Sequence, residues 1–538
     1  MFFTLAVSAA TAAQCAALAD AARDADPRIM PIPGPARAGW RAPDGRAAVL
    51  HWGAPVTGGT AHAGTIRAED GAVRARTGLA RVDPVYLAEL PGAVVVSDRA
   101  GWAAATAGRL RDPDPVMIGA FLALGYPLGG ATAYRDVRAL GSDRALRAAG
   151  GRLVVTRAPR EHDAGGPGGA AAVAAALADA VRPLAGADAP VQLSLTGGKD
   201  SRLVVAALAA AGVPFEARTH GFADHPDVIV AGLIARRLGA GHTVTEPAAP
   251  GTPGPADVLA RIRASVLVSD GMLSAFENAG RPDPPPGGGR VEAGGHGGEL
   301  LRGGYAQAAW RTPAPLGAAA GVELFRRMTT RRLSLLRPDA ARSYLASLTP
   351  AATWLARGPL AALDRFYLVN RAGRWSAAAR QAYLLRSPLA QPLFADQVVL
   401  AARAVPLRDR MSDRLHRDVL ARLCPGLLDI PLAGTPWHGE LRTPATVLAV
   451  PKGAAAADWR RDGAGPVAGF LRGYVLDHAE PSPLFGIVSR PAAERSLALP
   501  LADPQAAWAL ATLAALLSGD WLRARETPAV APAAPGGG

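Results

Sequence analysis

The stretch LTGGKDS, Leu195 to Ser201, lies between the apolar run VQLSL and the helical pattern RLVVAALAAAG. A strand, a glycine-rich turn and a helix together aim free backbone N–H groups and a helix N-terminus at an anion. Thr196 and Ser201 add two hydroxyls, and Gly197 and Gly198 add two unhindered amides, a set suited to a pyrophosphate group. Lys199 suggests a kinase-type loop, but that loop requires Ser or Thr directly after its Gly-Lys, and here Asp200 follows. A carboxylate inside a phosphate cradle is repulsive unless a cation lies between them. Mg²⁺ bridging Asp200 to the phosphates is the simplest remedy. A tight βα turn without a ligand is the alternative reading of a glycine pair standing alone.

A second glycine-dense turn comes about a hundred residues later, in EAGGHGGELLRGGY, 292 to 305. With this pair in order, LTGGKDS resembles the SGGxDS loop of ATP pyrophosphatases, with Thr196 in place of the first Ser. The second turn resembles the SGEGxDExxGGY loop of asparagine synthetases and the related β-lactam and lasso-peptide synthetases. Gly295, Gly297, Gly303, Gly304 and Tyr305 match that pattern. Glu299 falls where the family's second Mg²⁺-binding aspartate lies, and His296 where a catalytic Glu or Tyr lies. The resemblance implies ATP and Mg²⁺ as cofactors, with Asp200 and Glu299 on the metal. It further implies Thr196, Gly197, Gly198, Asp200, Ser201, Gly295 and Gly297 around ATP, and His220 bordering the adenine. Relatives also use a lysine after a late helix pair, and the matching stretch LCPGLLDIPLAGTPWHGE has none. The chain's other lysine, Lys452, is the candidate for that role, with Lys199 adding a point charge and His296 serving as proton acceptor. Asp224, Asp227 and Asp270 are weaker candidates, read first as a loop acid, a helix cap and a helix-flanking acid.

These residues need elements to hold them. From 40 to 160, short apolar runs such as RAAVLHWG, GAVVVSD and GRLVVTRAP, bounded by Gly, Asp and Pro, predict strands around one helical segment, MIGAFLALGYPLG. EHDAGGPGGA reads as a linker and RPDPPPGGGR as a surface loop. After the linker, Ala- and Leu-rich helices alternate with single strands, which predicts an α/β fold with a parallel sheet. Beyond 315 the chain reads as helical to about 525. The divisions are 1–160, a smaller α+β domain; 165–525, the synthetase-like domain; and 526–538, a disordered low-complexity tail. By resemblance the second unit is an ATP-pyrophosphatase domain with a helical C-terminal part, and the first is a degenerate glutaminase-like (Ntn) domain. The family's glutaminase uses a cysteine immediately after the initiator Met. Position 2 here is Phe2 and Cys15 is internal, so glutamine-derived ammonia is not expected.

At 538 residues the chain is too long for one core. Of its 58 basic residues only Lys199 and Lys452 are lysine, and the arginines are scattered, so the net charge of +13 does not mark a nucleic-acid footprint. Two distant cysteines exclude a disulfide framework and fit a reduced, cytoplasmic setting. The apolar run Ala506 to Leu517 falls short of a bilayer's span, so no membrane partner is expected. The expectation is therefore an AMP-forming amide ligase that joins a small-molecule or peptide carboxylate to an amine, asparagine synthesis and peptide macrolactam formation being its two branches. A non-catalytic or regulatory ATP-binding homologue is the alternative. A tRNA-modifying pyrophosphatase would bring a nucleic-acid module or catalytic cysteines, and the sequence offers neither.

Overall fold

The structure, a computed structural model, describes residues 2–29, 37–53, 65–158, 168–246, 253–277, 290–310, 318–384, 387–438, 441, 447–448, 458–477 and 483–523. The tail from 526, most of the linker, nearly all of the 281–290 loop and Lys452 lie outside the described residues.

The first part is a two-sheet body. One sheet orders its strands β2 (Arg37–Arg41), β3 (Ala47–Gly53), β1 (Phe2–Ala9), β7 (Ala93–Ser97), β6 (Tyr86–Leu90), β8 (Val137–Ala139). The other orders β10 (Arg152–Arg157), β9 (Arg144–Ala149), β5 (Ala72–Arg76), β4 (Thr65–Glu69). The unbroken apolar runs of the central strands arise from burial on both faces. Val94 and Val96 of β7 face the second sheet, with Val73, Leu146 and Ala148. Val95, with Leu5 and Val7 of β1, faces the helical side, with Trp102 and Phe121. Cys15 is fully buried there in helix α1 (Ala12–Ile29), and burial raises its thiol pKa.

The second part is a five-stranded parallel sheet ordered β13 (His242–Thr245), β12 (Phe215–His220), β11 (Val191–Ser194), β14 (Glu292–Gly294), β15 (Leu389–Ala390). Strand order reverses between β11 and β14. In an open parallel sheet the crevice outside the carboxyl ends at such a reversal is where ligands bind. The α/β expectation with a parallel sheet is met. Beyond 315 the chain is mostly helical, broken by the short strands at 389–390, 432–433 and 447–448.

Buried arginines join the two parts. Arg81, in the loop before β6, donates to the carbonyls of Leu140 (3.1 Å) and Gly129 (3.0 Å) on its own side and of Val369 (3.2 Å) and Gly373 (3.3 Å) in the helical part. Burial, with Arg374 nearby, lowers its pKa to about 9. Arg380 donates to Asp83 at 2.8 Å. Both fasten a continuous helical stretch, π-helical over Tyr367–Ser376 and α-helical over Ala377–Leu384. Asp270 is placed differently from a substrate-side acid. It ends helix Pro255–Ser269 and forms a buried pair with Arg99, Nη2 to Oδ1 at 2.5 Å, between the two parts.

Candidate active site

Ser194 of β11 pairs with Gly294 of β14, so the two glycine turns leave adjacent strand ends side by side. The first opens onto helix α5 (Lys199–Ala210), whose N-cap Gly198 makes no side-chain cap. The second leads through Gly297, at φ +98°, into the single turn Gly298–Leu301. Close approach explains the glycines. A Cβ on Gly295 would lie 2.5 Å from the Ser201 nitrogen, and one on Gly298 would lie 2.1 Å from the Asp200 carboxylate. The second turn thus lies directly on the first turn of α5.

The loop's polar groups are held in a defined net. Ser201 Oγ and Thr196 Oγ1 are 3.0 Å apart, Thr196 Oγ1 accepts from Gly198 N–H at 3.2 Å, and Ser201 Oγ donates to the Thr196 carbonyl at 3.1 Å. Gly197 N–H does not point free, as the sequence suggested, but donates to Asp227 Oδ1 at 2.9 Å. Asp227 therefore anchors the loop from the first turn of the Pro226–Arg237 helix, while His225 holds the cap position. Arg202 is fully buried and donates to Leu427 (3.0 Å), Ile430 (2.7 Å) and Pro431 (2.6 Å) carbonyls, binding a late segment beneath the loop.

Asp200 lies in the first turn of α5, where the helix dipole favours an anion. Its Oδ2 accepts from Arg302 at 2.6 Å and its Oδ1 lies 2.9 Å from His416 Nε2. Burial would raise the carboxyl pKa, but His416 and Arg302 together hold it below its usual range. Lys199 does not extend into the cradle. It is buried, its Nζ donates to Asp413 and it lies 5.2 Å from the Trp437 ring centre. Desolvation lowers its pKa against the pull of Asp413. Asp413, at φ +63°, also accepts from Gln307 at 3.2 Å.

Glu299 accepts a hydrogen bond from Tyr367, whose phenol is driven upward by burial and then by that carboxylate. His296 is exposed at the mouth of a cavity, 6.3 Å from the Tyr383 ring. Desolvation lowers its pKa, outweighing the opposing pull of Glu299 and Asp200, so the imidazole is neutral near pH 7. His220 is exposed at the end of β12, and Thr219 beside it donates to the Leu195 carbonyl at 2.8 Å, bringing it to the loop's edge. Asp224 is exposed.

Three residues of the site, Arg302, Asp413 and His416, were not singled out from sequence. Arg302 lies inside the second glycine turn, three residues after Glu299. Asp413 and His416 share the stretch SDRLH, whose three-residue spacing places both beside α5. Among the described residues no group of three or more His, Cys, Asp or Glu side chains is arranged to hold a metal ion. Mg²⁺ does not require one, since it binds through one or two carboxylates together with substrate phosphates, and Asp200 and Glu299 are donors of that chemistry.

Two interlocked glycine turns thus lie at the order reversal of a parallel α/β sheet, the place where such sheets bind ligands. Residues 172–273, from within α4 (Ala170–Val181) to just past Asp270, match the Asparagine synthase family model. Over that stretch the chain is similar to the asparagine synthetase-like family, whose members depend on ATP. No curated protein matches the chain. No helix among the described residues is long and apolar enough to cross a membrane.

Proposed function

We propose that the chain is an AMP-forming amide ligase. The observation that carries this reading is the packing of Gly295 and Gly298 onto Ser201 and Asp200, which makes one anion cradle from two separate loops. In the first step a substrate carboxylate attacks the α-phosphorus of ATP. An O–P bond forms, the bridging P–O bond breaks and pyrophosphate leaves. In the second, an amine attacks the acyl carbon, a C–N bond forms, the C–O bond to phosphate breaks and AMP leaves as the nitrogen gives up its proton.

Positioning and charge neutralisation carry most of the first step. The first-turn amides of α5 face the phosphates, and Thr196, Gly198 and Ser201 fix the loop's shape. Mg²⁺, when bound at Asp200 and Glu299, supplies charge neutralisation to the phosphates. Arg302 adds a fixed cation to the same cradle. In the second step neutral His296 accepts the proton of the amine. Lys452 is retained as the candidate for the family's missing lysine, and Lys199 acts through Asp413 as an anchor for α5. The substrates are a small-molecule or peptide carboxylate and an amine, with macrolactam closure the favoured branch.

A non-catalytic ATP-binding homologue is the second reading, favoured by the engagement of both Asp200 oxygens with Arg302 and His416. ATP-to-pyrophosphate exchange across a set of carboxylates separates the two. The ligase reading expects exchange in the wild type and its loss in Asp200→Ala, whereas nucleotide binding without exchange for any acid favours the homologue. In Lys452→Met, unchanged pyrophosphate release and amide formation would remove Lys452 from the mechanism.

A further inference from the structure

The cavity at His296 has a volume of about 220 Å³. Leu273, Phe276, Trp375 and Tyr383 supply apolar and aromatic walls, and Glu277 is the acid among its lining residues. Leu273, Phe276 and Glu277 come from the turn after helix Pro255–Ser269, and Trp375 and Tyr383 from the 367–384 helix that Arg81 and Arg380 fasten to the first part. The π-helical turn at Tyr367–Ser376 carries Trp375, and π segments are concentrated at functional sites.

The charges in this cavity are unequal. Arg460 has its guanidinium committed: Nε and Nη2 donate to Asp458 at 2.7 and 3.0 Å, and Nη1 donates to the Phe276 carbonyl at 2.7 Å. Arg461 is turned outward, its side chain 66% exposed, and leans on the same Asp458 at 3.3 Å. The Glu277 carboxylate, by contrast, has no hydrogen-bond or ion-pair partner among the described residues, although its backbone is fixed by Ser274 and Arg261. Trp375 Nε1 is likewise buried with no acceptor among them. A half-buried carboxylate with no partner among the described residues, set beside aromatic side chains, suits an ammonium group on an apolar body. A compact acid such as aspartate would bring a second negative charge to Glu277. Ammonia, which occupies about as much space as a water molecule's 30 Å³ or so, would leave the aromatic walls wet.

We infer that this cavity is the site of the amine substrate, and that this substrate is a carbon-bearing primary amine with an aromatic or branched apolar body, not free ammonia. The inference rests on the amide-ligase reading for its role in turnover. Glu277 draws the ammonium form into the cavity, the aromatic walls hold its body, and His296 at the mouth receives the proton that must leave before nitrogen can attack.

The test uses the full-length protein without nucleotide and three probes: phenethylamine, its uncharged counterpart 2-phenylethanol, and ammonium. Binding is read by calorimetry and ligand-observed NMR. Phenethylamine is expected to bind saturably, at least tenfold more tightly than the alcohol, and to resist displacement by equimolar ammonium. Glu277→Gln, which preserves shape, should abolish that tenfold preference and leave the alcohol unchanged. Ala379→Trp, which fills the cavity, should remove both. Displacement by ammonium, or an unaltered preference in Glu277→Gln, overturns the proposal. Nucleotide binding measured on the same samples keeps the two readings apart. Amine binding without ATP binding defeats the ligase reading alone, and the reverse defeats the amine pocket alone.

Discussion

Asp98 and Asp200 are both carboxylates at the end of a sheet, and the protein treats them in opposite ways. Asp200 has a guanidinium and an imidazole on its two oxygens and a helix N-terminus behind it, and its pKa is held down. Asp98 comes directly after β7. One oxygen accepts from Thr4 N–H at 2.8 Å and the other is buried without a partner among the described residues. Burial raises its pKa from 3.8 to about 8, outweighing the Thr4 hydrogen bond and nearby Arg99, which is committed to Asp270. A buried acid thus stays ionised where cations and dipoles are built to face it, as at Asp200, and not where they are missing, as at Asp98. The first part of the molecule keeps a neutral carboxyl, and the second keeps an ionised one at the sheet's order reversal.

The largest expected effect tests the ionised acid. Asp200→Ala should lower pyrophosphate exchange by about 100-fold or more, which corresponds to about 2.7 kcal/mol. It should also destabilise the fold by about 2 kcal/mol, less than the figure of about 3–5 for a fully buried pair, because Asp200 and Arg302 side chains retain 21% and 14% exposure. Chemical denaturation measures the second part, and an exchange rate within threefold of the wild type would break the comparison.

Next in size is Asp98→Asn. A folded-state pKa raised to about 8 means that folding retains a proton the unfolded chain releases above about 3.8. The stability this supplies is full below 3.8 and is lost as pH rises towards 8. Melting temperatures measured from pH 5 to 8.5 should therefore fall more steeply for wild type than for Asp98→Asn, with the variant gaining most at the alkaline end. Parallel curves would show Asp98 ionised already. The smallest effect belongs to a control. Gly469→Ala, in helix Pro466–Leu476 with open space around the added methyl, should stabilise the protein by about 0.5–1 kcal/mol and leave exchange unchanged.

Much of the second part was legible because its signals are local. VQLSL and RLVVAALAAAG carry their own periodicity, and a glycine pair between strand and helix announces a tight turn. Glycines at 295, 297 and 298 were visible as a cluster, although their reason, contact with α5 and Phe394, is a tertiary fact. What stayed hidden depends on long-range pairing. Gly197 finds Asp227 thirty residues away, Lys199 finds Asp413 and Asp200 finds His416, each more than two hundred residues distant. No spacing rule reaches that far, so Lys199 read as a ligand cation when it is an internal brace. Asp270 does flank its helix, as read, but its partner, Arg99, lies in the other part of the chain and stayed hidden.

Whether two glycine turns form one nucleotide cradle around Asp200 is tested most directly by Gly298→Ala. The added Cβ would lie 2.1 Å from the Asp200 carboxylate while changing no charge or hydrogen-bonding group. Equilibrium binding of MgATP, compared between wild type, Gly298→Ala and the Gly469→Ala control, is the measurement. A shared cradle requires at least a tenfold loss of affinity in Gly298→Ala with wild-type affinity in the control. Equal affinity in all three proteins, with Gly298→Ala folded, would contradict it.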